Sequence, residues 1–138
     1  MVVVVDSSVF VASLTEDEPF SAESLNLIRN IQAQKISVII PTTVVFEVVA
    51  AVARRSGDTP LAYKVGTELL SMPAVSVIDL TTFRVLRGLA FTAEARLTGM
   101  DAIVVNTAIE FDLPLITLDK EMAERAKKFV KILPITNL

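Results

Sequence analysis

The chain has 138 residues, a length that predicts a single domain over residues 1–138 with one sizeable core, and its 52% hydrophobic content excludes disorder. It contains neither cysteine nor histidine, which excludes disulfides, thiol catalysis, thiolate or imidazole zinc sites and every histidine-based triad. The net charge of −3 advertises no broadly basic face, so hydrolytic chemistry would have to run on carboxylates, hydroxyls, lysine or a hard metal ion.

The four valines Val2 to Val5 mark a strand buried on both faces. Asp6-Ser7-Ser8 ends it and can cap a short helix through about Leu14. Thr15 to Pro19 reads as an acidic loop, and Ser21 to Gln34 as a helix with Leu25, Ile28 and Ile31 at turn spacing. Ile36 to Ile40 is a second buried strand, stopped by Pro41. A helix from about Thr43 to Arg55 is closed by Gly57, and another runs from about Thr59 to Leu70. Pro73 breaks the chain before a short strand, Val75 to Ile78. Thr81 to Leu97 is an amphipathic helix ended by Thr98-Gly99, followed by a nearly apolar helix from Asp101 to Phe111. Asp112-Leu113-Pro114 turns into the strand Leu115 to Thr117. A helix from about Lys120 to Lys128 then leads to a last strand, Val130 to Ile135.

Strands alternating with helices predict an α/β fold, a parallel sheet covered on both faces. In such folds ligands bind beyond the carboxyl ends of the strands, and Asp6 and Asp119 both stand there. The apolar start, Met1 to Leu14, lacks a basic leading region and carries Asp6 in its middle, unlike an export signal. No apolar run approaches the roughly 18 residues of a membrane span. The expected location is the cytoplasm, with no membrane partner.

Four acids stand out, each open to a bland reading. Asp6 could be only a cap or turn residue. Glu47 lies within an apolar helix, with Val45, Val49 and Val52 turned away from it. Its own stripe holds Thr43, Ala50, Ala51 and Arg54, small residues that leave room for something to approach. Asp101 could cap its helix. Yet the polar stripe there is Asn106, Thr107 and Glu110, and Asp101 projects to the other side with Val105 and Ala108. Asp119 could cap the next helix. It also shares a strand face with Thr117, whose hydroxyl could orient a carboxylate. Glu121, two positions after Asp119, could be an outer ligand but reads as structural.

Taken in order, Asp6-Ser7-Ser8 after the first strand, Glu47 in a helix, Gly99-Met100-Asp101-Ala102, and Leu115-Ile116-Thr117-Leu118-Asp119 resemble the PIN-domain family, especially its small VapC-type toxins. The resemblance covers nearly the whole chain. It implies a three-layer α/β/α fold with a parallel sheet of about five strands in the order 3-2-1-4-5. It implies that Asp6, Glu47, Asp101 and Asp119 bind Mg²⁺ or Mn²⁺ and are catalytic, with Ser8 and Thr117 as supporting hydroxyls. Position 8 is often Asn in that family, and serine can hydrogen-bond there too. The activity implied is endoribonuclease cleavage leaving 5′-phosphate and 3′-hydroxyl ends. The partners implied are RNA, an antitoxin whose tail lies over the acidic groove, and a second copy of the chain.

The chemistry fits that set. Phosphodiester hydrolysis needs an activated water and relief of charge on the phosphate, and a hard cation on oxygen ligands supplies both. Two carboxylates about 5 Å apart repel by roughly 3 kcal/mol at an effective dielectric near 20, so a proton or a metal should stabilise the cluster. Arg54, Arg55, Arg84, Arg87, Arg96 and Lys120 are candidate RNA contacts, each equally readable as a solvated charge. Three other readings stay open: a non-toxin PIN nuclease in RNA processing, a receiver-like signalling domain with Asp79 as phospho-acceptor and Lys120 as the lysine after a later strand, and a catalytically inactive interaction module.

Overall fold

A computed structural model describes residues 1–138. The elements in chain order are strand β1 (Val2–Val5), helices α1 (Ser7–Ser13) and α2 (Ser21–Gln32), and strand β2 (Ser37–Pro41). Helices α3 (Thr42–Ser56) and α4 (Thr59–Ser71) and strand β3 (Val75–Ile78) follow. The chain closes with helices α5 (Thr82–Ala95) and α6 (Gly99–Phe111), strand β4 (Leu115–Ile116) and helix α7 (Lys120–Ala126).

The sheet is parallel throughout, in the order β3-β2-β1-β4. Its centre is the valine run: Val3, Val4 and Val5 have no exposed surface, as a strand covered on both faces requires. Val3 pairs with Val38 and Val4 with Leu115. Helices flank the sheet, and one cluster of 26 buried residues joins strands and helices.

The topology decides where a ligand can sit. The chain builds outward from β1 through β2 to β3, then returns across the sheet through α5 and α6 to lay β4 on the other side of β1. The order therefore reverses at the β1–β4 seam, the crevice in which open α/β sheets hold their ligands. The Asp6 N–H donates to the Ile116 carbonyl at 2.9 Å, so the ends of both strands are locked together there.

The expected fifth strand, Val130 to Ile135, does not form. A single parallel bridge, Leu115 to Ile132, takes its place. There the Leu115 N–H donates to Lys131 and the Leu133 N–H to Leu115, both at 2.9 Å. Two features explain the shortening. β4 offers only two residues to pair with, and Pro134 has no N–H to continue the ladder.

Helix ends shift by a residue or two from expectation, and one boundary uses different chemistry. Arg96, in the left-handed region at φ 56°, terminates α5, whereas Gly99 begins α6 behind a Thr98 cap. α3 does end at Gly57 in the left-handed region, as expected. Thr107, assigned to the polar stripe of α6, is instead buried, its hydroxyl donating back to the Ile103 carbonyl at 2.9 Å.

Candidate active site

Asp6 is the fixed point of the site. It is 5% exposed and caps α1, with its Oδ2 accepting from the Ser8 N–H at 3.4 Å. The same oxygen accepts from the Ser8 hydroxyl at 2.7 Å and the Thr117 hydroxyl at 2.9 Å. Each hydroxyl is itself aimed by a backbone donor. The Leu118 N–H donates to Ser8 Oγ at 3.0 Å, and the Asp119 N–H to Thr117 Oγ1 at 3.1 Å. A hydroxyl that accepts from the backbone has its one proton left to give, and both give it to Asp6. The peptide following β4 is thus clamped to the end of β1, and Asp6 Oδ1 carries no protein donor.

The other acids arrive from separate elements. Glu47 projects from α3, and Asp101 from the first turn of α6. Asp119 caps α7, its Oδ1 accepting from the Met122 N–H at 3.0 Å. Their electrostatics report their nearness. Burial, then the charges of Asp6 and Asp101, push the Glu47 carboxyl up to about 7, against a small opposing effect of the Ser7 hydroxyl. Asp101 is raised by burial, then by Asp6 and Asp119, with Glu121 adding a little and the Thr98 hydroxyl opposing. Asp6 thus acts on both Glu47 and Asp101, and Asp119 acts on Asp101. None of them enters any of the chain's five ion pairs.

The donor set fits a hard divalent ion. It is all oxygen and anionic, and the chain has no cysteine or histidine. As the side chains stand, no group of three or more acids is arranged to hold a metal ion.

The cations expected to guide a substrate divide by environment. Arg84 is committed within the fold: its Nε donates to both Glu110 oxygens at 3.0 Å and its guanidinium to the Asp79 carbonyl at 3.1 Å. Arg55 is paired with Glu18 at 2.6 Å. Arg87 lies over the Phe83 ring, 5.7 Å from its centroid. The Arg96 carbonyl accepts from Arg125. Arg54, Arg96 and Lys120 are exposed, and none of their side chains is in an ion pair.

A cavity of about 300 Å³ lies elsewhere, between α5 and α6 beyond the end of β3. Arg84, Asn106 and Glu110 are among its lining residues, and none of the four acids is. The hydrogen bonds around Asp6 lie apart from it, at the β1–β4 seam.

Sequence reasoning missed Ser7 and Thr98, which temper Glu47 and Asp101. It also set aside Glu121, which acts on Asp101 while pairing with Arg125 at 2.7 Å. The pattern Asp119-x-Glu121 was the available signal.

The family model of the PIN domain matches residues 3–128. The chain belongs to the PIN domain family. No curated protein matches it in sequence at a significant level. Among solved structures, this PIN fold is similar to Mycobacterium tuberculosis VapC20, a sarcin-ricin loop cleaving toxin, with TM-score 0.73 and 19% identity over 97% of this chain and all of that one. It is similar to VapBC2 from Rickettsia felis, solved with a fragment of promoter DNA, with TM-score 0.69 and 14% identity over 97% and 98% of the two chains. FitAcB from Neisseria gonorrhoeae aligns over the full length of both chains with TM-score 0.67 and 16% identity. At such identities the likeness is one of fold. Within this PIN fold, Asp79 is exposed past the end of β3, outside the acidic centre. The receiver-like reading gains no support.

Proposed function

We propose that this PIN protein is a Mg²⁺- or Mn²⁺-dependent endoribonuclease acting as the toxin of a toxin–antitoxin pair. What supports the reading is that Asp6, Glu47, Asp101 and Asp119 come from distant segments, none is paired with a lysine or arginine, and the charges of neighbouring acids raise Glu47 and Asp101.

Asp6, Asp101 and Asp119 would hold the metal, with Glu47 ligating through water or orienting the attacking water. Mg²⁺ or Mn²⁺ bound there supplies water activation and charge relief on the scissile phosphate. Ser8 and Thr117 fix Asp6, so one carboxylate keeps its orientation whether or not its neighbours are neutralised. Without the ion, burial and the charges of Asp6 and Asp101 push the Glu47 carboxyl up to about 7, and a bound cation would favour its charged form. Arg54, Arg96 and Lys120, and Arg87 less directly, are the cations left to meet phosphates. The toxin role draws on the likeness to VapBC and FitAB proteins, and with it an antitoxin covering the acids. A homodimer draws on α5, which leaves Phe83, Leu86 and Leu89 more than half exposed. A single cytoplasmic domain completes the proposal; no helix is long and apolar enough to cross a membrane.

Incubation with total RNA and Mn²⁺ tests the activity. The protein should cut internally, leaving 5′-phosphate and 3′-hydroxyl ends, and Asp119→Asn should not cut. Uncut RNA, or equal cutting by the variant, refutes the assignment. Growth arrest on expression that vanishes in Asp6→Ala separates a toxin from an RNA-processing PIN nuclease.

A further inference from the structure

α3 puts its largest apolar side chain on the wrong side for folding. Val44, Val45, Val48 and Val52 are buried, whereas Phe46 is 79% exposed, the most exposed large hydrophobic side chain of the protein. A ring in water at mid-helix does nothing for the core, and phenylalanine is not a favoured helix former. Its position is informative. Phe46 immediately precedes Glu47, so the ring lies one helical step from a carboxylate of the acidic centre.

The ring is also uncommitted. Phe91 and Phe129 meet edge to face at 4.8 Å, and the Phe83 ring is covered by Arg87, but Phe46 has no ring or cation against it. Farther along the helix, Arg54 stands seven residues after Glu47. Seven residues are nearly two turns, so the two side chains share a face about 10 Å apart. Arg54 is exposed and unpaired, while its neighbour Arg55 is held by Glu18. One helix thus presents a carboxylate of the centre, a free ring beside it and a free guanidinium beyond. A stacking surface next to a phosphate-binding cation is how proteins hold single-stranded nucleic acid.

We propose that Phe46 is a stacking platform for a nucleobase of single-stranded RNA beside the bond to be cut, with Arg54 meeting a phosphate farther along the strand. The proposal rests on the reading of the acidic centre as a nuclease site. Stacking tolerates any base, so Phe46 positions the strand and selects unpaired RNA rather than a sequence.

The chain has no tryptophan and one tyrosine, so Phe46→Trp installs a lone tryptophan, excited selectively on the red side of tyrosine absorption, at the position in question. In EDTA at low salt, short oligo(A) and oligo(U) should quench its emission, and Arg54→Gln in that background should weaken the titration. In steady-state cleavage with Mn²⁺, Phe46→Ala and Phe46→Leu should raise KM about 5- to 150-fold with kcat nearly unchanged, while Phe46→Tyr holds the wild-type KM. Matching melting temperatures exclude misfolding. Cleavage by the wild type with no quenching, or full activity in Phe46→Leu, overturns the stacking role and leaves the nuclease reading standing. Emission that shifts to the blue with protein concentration and ignores RNA also overturns it, assigning the ring to a contact between copies. No cleavage by the wild type removes the nuclease reading itself.

Discussion

Replacing Glu47 with glutamine separates the electrostatic cost of the acidic centre from its chemistry. The Glu47 carboxyl is raised from 4.5 to about 7 by burial and by the charges of Asp6 and Asp101. The folded protein therefore binds this proton more tightly than the unfolded chain, and the stability it contributes is complete below about pH 4.5. That contribution is lost as pH rises towards 7 and above. A fully shielded group with this shift would change stability by roughly 3 kcal/mol. Glu47 is only half-buried, and solvent screening brings the expected change nearer to 1–2 kcal/mol. For a chain of this size that is about 3–8 °C in melting temperature. Asp101, raised for related reasons, acts in the same direction above its ordinary range. Melts in EDTA at pH 5, 6, 7 and 8 should show the wild type losing this increment relative to Glu47→Gln, which should be the more stable protein at pH 8. Mn²⁺ replaces the proton as the neutralising charge, so it should raise the wild-type melting temperature more at pH 8 than at pH 5. Parallel pH curves for the two proteins, or a Mn²⁺ effect independent of pH, would refute the action of burial and neighbouring charges on Glu47.

Ser8→Ala removes both the 2.7 Å hydrogen bond to Asp6 and the acceptor of the Leu118 N–H; urea unfolding should register a loss of about 1–2 kcal/mol, with Thr117→Val behaving alike and the pair less than additive. Gly66→Ala would place a methyl 2.7 Å from Val49 Cγ2, where α3 and α4 meet, and the stiff β-branched side chain cannot turn aside. Despite roughly 1 kcal/mol of improved helix propensity, a net loss of about 1–2 kcal/mol is expected, relieved when Val49→Ala is combined with it. Arg84→Gln should destabilise by up to about 1 kcal/mol through the lost Glu110 pair and leave the salt dependence of RNA cleavage unchanged. Arg54→Gln should do the opposite, sparing stability and flattening the salt dependence.

Much of this architecture was legible because its signals are local. A run of valines has no comfortable place except a doubly covered strand, and Asp6 follows it at the strand's carboxyl end. The fifth strand was not legible, because its pairing depends on how far β4 extends, which is a property of the neighbouring segment. The burial of Thr107 was hidden for the same reason: a helical wheel assigns a hydroxyl to the polar face without knowing that the Ile103 carbonyl can satisfy it. The cations show the same divide. Arg54 and Arg84 look alike in sequence, and only the proximity of Glu110, 26 residues away in the chain, commits one of them to the fold.

The two kinds of acid in the centre point to how folding and function are reconciled there. Asp6 is buried and held by the Ser8 N–H and two hydroxyls, each hydroxyl aimed by a backbone N–H from the Leu118–Asp119 peptide. Its charge is supported by the fold itself, and its hydrogen bonds tie the end of β1 to the chain leaving β4. Glu47 and Asp101 have no comparable support, and burial with the charges of neighbouring acids raises both carboxyls above their ordinary range. A site in which all four acids were satisfied by protein donors would be more stable and would have little affinity left for a cation. Leaving two of them poorly satisfied lowers the stability of the apo protein, and that same free energy becomes available to whatever neutralises them.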